Sequence, residues 1–87
     1  MTVIHKKITP EYFDLVQSGR KRYEFRVADF AIAEGDTLVL EEWDPKNKKY
    51  TGRTLEKKVG YTSHFTLDSF SQRELIEKHG FYIVQFE

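Results

Sequence analysis

Between Pro10 and Val27 the spacing of apolar residues changes from that of a helix to that of a strand, and this switch constrains the fold more than any other feature. Tyr12, Phe13 and Val16, extended by Leu15, recur at helical spacing and make one apolar face. Beyond Gly19 the pattern is strict alternation. Tyr23, Phe25 and Val27 share one side, and Arg22, Glu24 and Arg26 share the other. The helix is predicted over Pro10–Ser18. Thr9 is a good N-cap, and Pro10 suits the first helical position because an N–H there has no helical partner. Gly19 ends the helix as the residue best able to turn left-handed.

The remaining segments read mainly as strands. Val3–Lys7 is a first strand of mixed polarity, and Arg22–Val27 is a second. Glu34-Gly35-Asp36 is a turn, followed by a strand over Thr37–Trp43 with Leu38 and Leu40 inward. Asp44–Gly52, with Pro45, Asn47 and Gly52, is a hairpin loop, and Arg53–Thr62 is the return strand. Ser63–Phe70 is irregular. Ser71-Gln72-Arg73-Glu74 matches a capping box, which predicts a second helix ending at Gly80. Phe81–Phe86 is a final strand. The order β-α-β-β-β-α-β with hairpin-like connections gives an α+β class and a mixed sheet, not a doubly wound one. A short barrel closed by the terminal strand would protect its edges. Its predicted core is Phe13, Val16, Phe25, Leu38, Leu40 and Ile83.

Eighty-seven residues suffice for one domain. A domain of that size hides only about 60–65% of its unfolded surface, so the core must be efficient. Apolar residues make up 39%, and one Trp, five Tyr and seven Phe supply much of the burial. The absence of cysteine excludes disulfides and thiolate chemistry. With only His5, His64 and His79, no structural zinc site is expected, and no cofactor is called for. No signal peptide or membrane-length apolar run is present, so a cytoplasmic monomer without a membrane partner is expected. The net charge is zero, which by itself argues against nucleic acid. Its distribution is uneven: residues 1–26 hold six Lys/Arg against three Asp/Glu, and residues 27–87 hold eight against eleven. The basic first third can form a local anion-binding surface. Solvated surface charge is the plainer alternative.

The chemistry concentrates in Gly19-Arg20-Lys21-Arg22-Tyr23-Glu24-Phe25-Arg26. On a strand, Glu24 and Arg26 project from one face, and Lys21 lies just before it. Together they can gather an ammonium, a carboxylate and a guanidinium in one pocket. Arg and Lys hold phosphate. The carboxylate can accept from a base amino group or, with Lys21, act as a general base in an enzyme. An exposed strand face with ion pairs along it is the structural alternative.

The pattern Gly-x-Lys-x-x-Glu-x-Arg, here Gly19, Lys21, Glu24 and Arg26, resembles the signature of the ASCH family. The preceding helix, the Gly35-Asp36 turn, the stretch Leu38–Pro45 and Tyr50-Thr51-Gly52-Arg53 resemble short bacterial and phage members of undefined function. The similarity spans about residues 4–62 and the last strand, and Ser63–Gly80 shows little correspondence. It implies a PUA-like barrel with a cleft beside the helix, lined by the motif. RNA or a nucleotide is the partner it implies. Some small members remove acyl groups from modified cytidines, and ribonuclease activity has been proposed for others. The former resemble this chain at Lys21 but carry Thr where it has Glu24, so their Thr nucleophile does not transfer.

Further ligand candidates flank the motif. His5 alternates with Val3 and Lys7 and can contact a base or phosphate, or be a partly buried strand histidine. Lys7 can add a phosphate contact or be solvated. Trp43 can stack a base, an interaction worth about 1–3 kcal/mol, or cap the barrel core. Lys46, Lys48 and Lys49 in the hairpin loop can follow a phosphate backbone or be solvated. Tyr61 and His64 are placed at the cleft rim, and His79 beside a helix C-terminus.

Overall fold

The computed structural model describes residues Met1–Glu87. Its elements are β1 (Val3–Ile8), α1 (Pro10–Gln17), β2 (Thr37–Asp44), β3 (Lys49–Lys58) and α2 (Arg73–His79). They form an α+β fold around a three-stranded sheet of order β1-β2-β3. β1 runs parallel to β2, with Ile4 opposite Leu38 and Lys6 opposite Leu40. β2 and β3 are antiparallel. No helix is long and apolar enough to cross a membrane.

Parallel pairing of β1 and β2 requires a crossover, and α1 lies within it. Its buried side chains, Phe13 and Val16, pack with Ile8, Leu38 and Leu40 into the core. Ile4, Ile32, Leu55 and Val59 pack around that cluster. Thr9 serves as N-cap through its backbone alone: Phe13 N–H donates to its carbonyl at 2.8 Å, and its side chain makes no capping bond.

β2 also buries a carboxylate, Glu42, which is 3% exposed. A bulge accommodates it. Glu41 pairs with Thr54 and Trp43 with Tyr50, so Glu42 alone faces Thr51, Gly52 and Arg53. Gly52 takes φ 96°, a left-handed conformation that favours glycine. Thr51 Oγ1 donates to Glu42 Oε1 at 2.5 Å, and Arg53 donates from Nε at 2.9 Å and Nη2 at 2.6 Å. Arg53 Nη2 also reaches Asp14 of α1 at 3.1 Å, and its guanidinium sits 4.3 Å from the Phe13 ring centroid. Arg53 and then Thr51 hold Glu42 below the usual carboxylate range, against the opposing effect of burial. Glu42 and Asp14 in turn raise Arg53.

Asp36 closes the other end of the sheet. Its carboxylate accepts from Thr2 N–H and Ala33 N–H, each at 2.9 Å, and these bonds lower its pKa. Its carbonyl accepts from Val59 N–H at 2.8 Å.

The expected closed barrel is not formed, and the sheet is open. Arg22–Val27 and Phe81–Phe86 carry no strand pairing. They lie together through a side chain: Gln85 accepts from Arg22 N–H at 2.6 Å and donates to the Arg20 carbonyl at 3.2 Å. Of the predicted core, Phe13, Val16, Leu38 and Leu40 are buried. Phe25 and Ile83 are 55% and 42% exposed and lie outside it. Phe25 joins a second apolar cluster with Phe65, Phe70 and Phe81, with ring centroids 5.4–6.4 Å apart. Alternation in Arg22–Val27 does not bring that segment into the sheet.

The hairpin loop is shorter than expected. It is a turn at residues 45–48, held by Asp44, which accepts from Lys46 N–H at 2.9 Å and from Asn47 Nδ2 at 2.7 Å. β3 stops at Lys58 rather than Thr62. The second helix forms without the capping box. Gln72 is its N-cap and makes no side-chain cap bond, while Ser71 is left-handed at φ 54°.

Leu40→Ala and Phe13→Ala should each destabilise the fold by about 2–5 kcal/mol in urea unfolding. Phe25→Ala should cost clearly less, and equal losses at all three would contradict the two-cluster arrangement. Acid provides a second check. Glu42 and Asp36 have folded-state pKa values below their ordinary 4.5 and 3.8, so the unfolded chain binds more protons on acidification. Their contribution is complete above those ordinary values and is lost as pH falls through the lowered ones. Unfolding midpoints should therefore drop below about pH 4. Glu42→Gln should lower stability at pH 7 and flatten the acid dependence.

Candidate functional site

A cleft of about 480 Å³ opens where the end of β1, the start of α1, the motif and the C-terminal stretch converge. Its walls include Lys7, Thr9, Tyr12 and the run Tyr23–Arg26, with Lys21 beside them and Phe81 and Ile83 opposite. The end of α1 delivers the motif to it. Ser18 N–H donates to Asp14 O at 3.0 Å, Gly19 N–H to Val16 O at 3.1 Å and Lys21 N–H to Leu15 O at 2.9 Å. Gly19 has φ 80°, a left-handed conformation that favours glycine at the reversal.

Three charged side chains are linked in a row. Lys21 Nζ donates to Glu24 Oε1 at 2.9 Å and to the Tyr23 carbonyl at 2.8 Å. The same ammonium stands 4.7 Å from the Tyr23 ring centroid and 5.2 Å from that of Tyr12. Glu24 Oε2 accepts from Arg26 Nε at 2.8 Å. Arg26 Nη2 donates to the Lys7 carbonyl at 2.7 Å and thereby ties the motif to β1. The Lys7 ammonium lies 3.8 Å from the Trp43 ring centroid, and Tyr50 packs edge-on to Trp43 at 4.9 Å. The arrangement can hold an anion beside aromatic and aliphatic walls. No three His, Asp or Glu side chains converge to hold a metal ion.

Four of the six expected ligand residues, Lys7, Lys21, Glu24 and Arg26, therefore line one cleft. Trp43 does not line it and acts behind Lys7, as the surface under its ammonium. His5 also lies outside; its Nδ1 is 3.7 Å from a Glu41 oxygen. Tyr61, His64, His79 and the hairpin lysines are not among the walls either. Sequence reasoning missed Tyr12, Tyr23, Phe81 and Ile83 as cleft residues. Tyr12 had been assigned to the apolar helix face, yet it is 54% exposed and turns its ring toward Lys21. A Tyr on the edge of an apolar helix face, seven residues before the Gly19 that opens the basic motif, was the available signal.

The family model described as a domain of unknown function, DUF3850, matches residues 4–73. The chain belongs to the DUF3850 family. An uncharacterised 12.9 kDa protein in the GpA 3′ region of Escherichia phage P2 is 45% identical over 60 residues. That alignment covers 68% of this DUF3850 chain and 53% of the phage protein, so the chain spans about half the length of the curated relative it matches. No solved structure matches. The DUF3850 match takes in β1 from Ile4, α1, the whole motif and the hairpin, and stops at Arg73.

Gly19 gives a direct test of how the motif is delivered. A β-carbon there would meet nothing within 4 Å, so any cost of substitution comes from the left-handed backbone. Gly19→Ala should destabilise by about 1–2 kcal/mol in urea unfolding. Gly19→Asn should cost less, because asparagine tolerates this conformation better. Equal losses would place the constraint elsewhere.

Proposed function

We propose that this chain is an RNA- or nucleotide-binding module of the ASCH type within the PUA-like superfamily, and that the cleft is its binding site. The observation that carries this reading is the meeting of Lys21 and Arg26 on the single carboxylate of Glu24, with Lys7 in the same cleft lining and aromatic walls beside them. Three cations and one anion leave a local excess of positive charge on a chain whose net charge is zero. A phosphate finds cationic donors there, and a base finds apolar and aromatic surface. The Gly19, Lys21, Glu24 and Arg26 pattern supports the ASCH assignment, since its three charged members are the ones joined by hydrogen bonds.

The same bonds favour binding over catalysis. Both Glu24 oxygens already accept from cations, so the carboxylate is engaged in orienting Lys21 and Arg26. A remaining lone pair on either oxygen can accept from a base edge.

Binding of short single-stranded RNA should weaken as salt rises, with a slope of about 0.7 per neutralised phosphate. Arg26→Ala should weaken binding and flatten that slope. Glu24→Gln should remain folded and lose affinity, and neither protein should turn over acylated cytidines or RNA. Binding indifferent to both salt and Arg26 would move the site elsewhere. Turnover by the wild type that disappears in Glu24→Gln at unchanged affinity would instead establish a hydrolase acting on a modified nucleoside or on RNA.

A further inference from the structure

The three cations of the cleft differ in what remains free on each. Lys21 is committed: its side chain is 13% exposed, two of its three N–H groups are taken, and two tyrosine rings flank it. Bringing it to a ligand would break its bond to Glu24. Arg26 is half committed. Nε and Nη2 are engaged, and Nη1 makes no hydrogen bond within the chain. Lys7 has neither a carboxylate partner nor a hydrogen bond on its ammonium, which lies 3.8 Å from the Trp43 ring centroid and 5.6 Å from that of Tyr50. Arg26 holds the Lys7 carbonyl at 2.7 Å, so the two free donors belong to residues already joined.

We propose that Lys7 and the Nη1 edge of Arg26 form the anion subsite of the cleft and take one phosphate group of a nucleotide. Lys21 is a positioning residue that fixes Glu24 and does not touch the phosphate. This assignment rests on the nucleotide reading above and divides the labour within it. A cation on an aromatic face is held by the ring quadrupole yet remains free to donate on its open side. A guanidinium edge and an ammonium suit phosphate oxygens, the first as a planar fork and the second as a point charge.

Trp43 is the one tryptophan of the chain, so the subsite carries its own reporter. An anion that draws the Lys7 ammonium off the indole face changes the field on that ring and hence its emission. A ligand held elsewhere in the cleft leaves that contact alone.

The experiment titrates the wild type, Lys7→Gln and Lys21→Gln with the four nucleoside 5′-monophosphates, the four nucleosides and a short RNA lacking a terminal phosphate. Trp43 emission is followed beside calorimetric affinity, and circular dichroism checks the fold of each variant. A monophosphate should shift wild-type emission, and its parent nucleoside should bind about tenfold or more weakly without the shift. Lys7→Gln should abolish the shift, lower monophosphate affinity by about tenfold or more and leave the nucleoside unchanged. Lys21→Gln should weaken nucleoside and monophosphate alike, and leave the salt slope intact. RNA that reproduces the emission shift where monophosphates do not would make the phosphate an internucleotide one at the same subsite. The subsite is overturned if Lys21→Gln removes the salt dependence while Lys7→Gln retains it, with RNA or a nucleotide still binding. If no RNA, nucleotide or nucleoside binds the wild type, the nucleotide reading itself fails and the subsite with it.

Discussion

Glu42 places a negative charge beneath α1, where an unpaired carboxylate would oppose folding strongly. Its compensation comes from one neighbouring strand. The bulge lets β3 present both Thr51 and Arg53 to the same carboxylate, and Arg53 then extends to Asp14 on the helix. Sheet and helix are thus joined by a charged contact with directional bonds, in addition to the undirected packing of Phe13 and Val16. Apolar packing alone leaves a short helix some freedom to roll. A guanidinium bonded on both sides and seated on the Phe13 ring restricts that freedom.

The cleft depends on this orientation at one remove. α1 carries Tyr12 on one flank and ends in the Gly19 reversal that introduces Lys21. On the other side, β1 offers the Lys7 carbonyl to Arg26. The motif, which belongs to no strand, is therefore fixed at its start by the helix, in the middle by Glu24 and near its end by β1. Hydrogen-bonded side chains replace the ladder that regular pairing would have supplied.

Much of the local structure was legible in the sequence. The Thr9-Pro10 start and Gly19 stop located α1 to within a residue, and inward Leu38 and Leu40 located the core face of β2. Glu24 and Arg26 were expected on one side of an extended segment, and their 2.8 Å bond agrees. What was not legible depends on contacts distant in sequence. Phe25 and Ile83 follow strand periodicity, but they meet other aromatics and the cleft instead of a sheet. Glu42 falls on the side of Leu38 and Leu40 by alternation, but its own strand does not show the Thr51 and Arg53 partners that compensate its burial. Trp43 was read as able to stack a base or to cap a barrel core, and periodicity could not show that Lys7 would occupy its face. Ser71 and Glu74 have the right spacing for a capping box, but Ser71's backbone turns left-handed and takes its hydroxyl out of that role.

The bulge at Gly52 also bears on how one molecule meets another. β3 is an outer strand of the sheet, ten residues long and almost wholly exposed. An unbroken edge of that length would be a template for a second copy to add its own strand. Three residues facing one interrupt the regular spacing of backbone groups near one end, so that Thr54–Lys58 is the longest regular stretch. Lys49 at one end and Lys57 and Lys58 at the other add like-charge repulsion to any matching strand. The kink that lets Arg53 reach Glu42 thus also shortens the regular edge that a second copy could pair with.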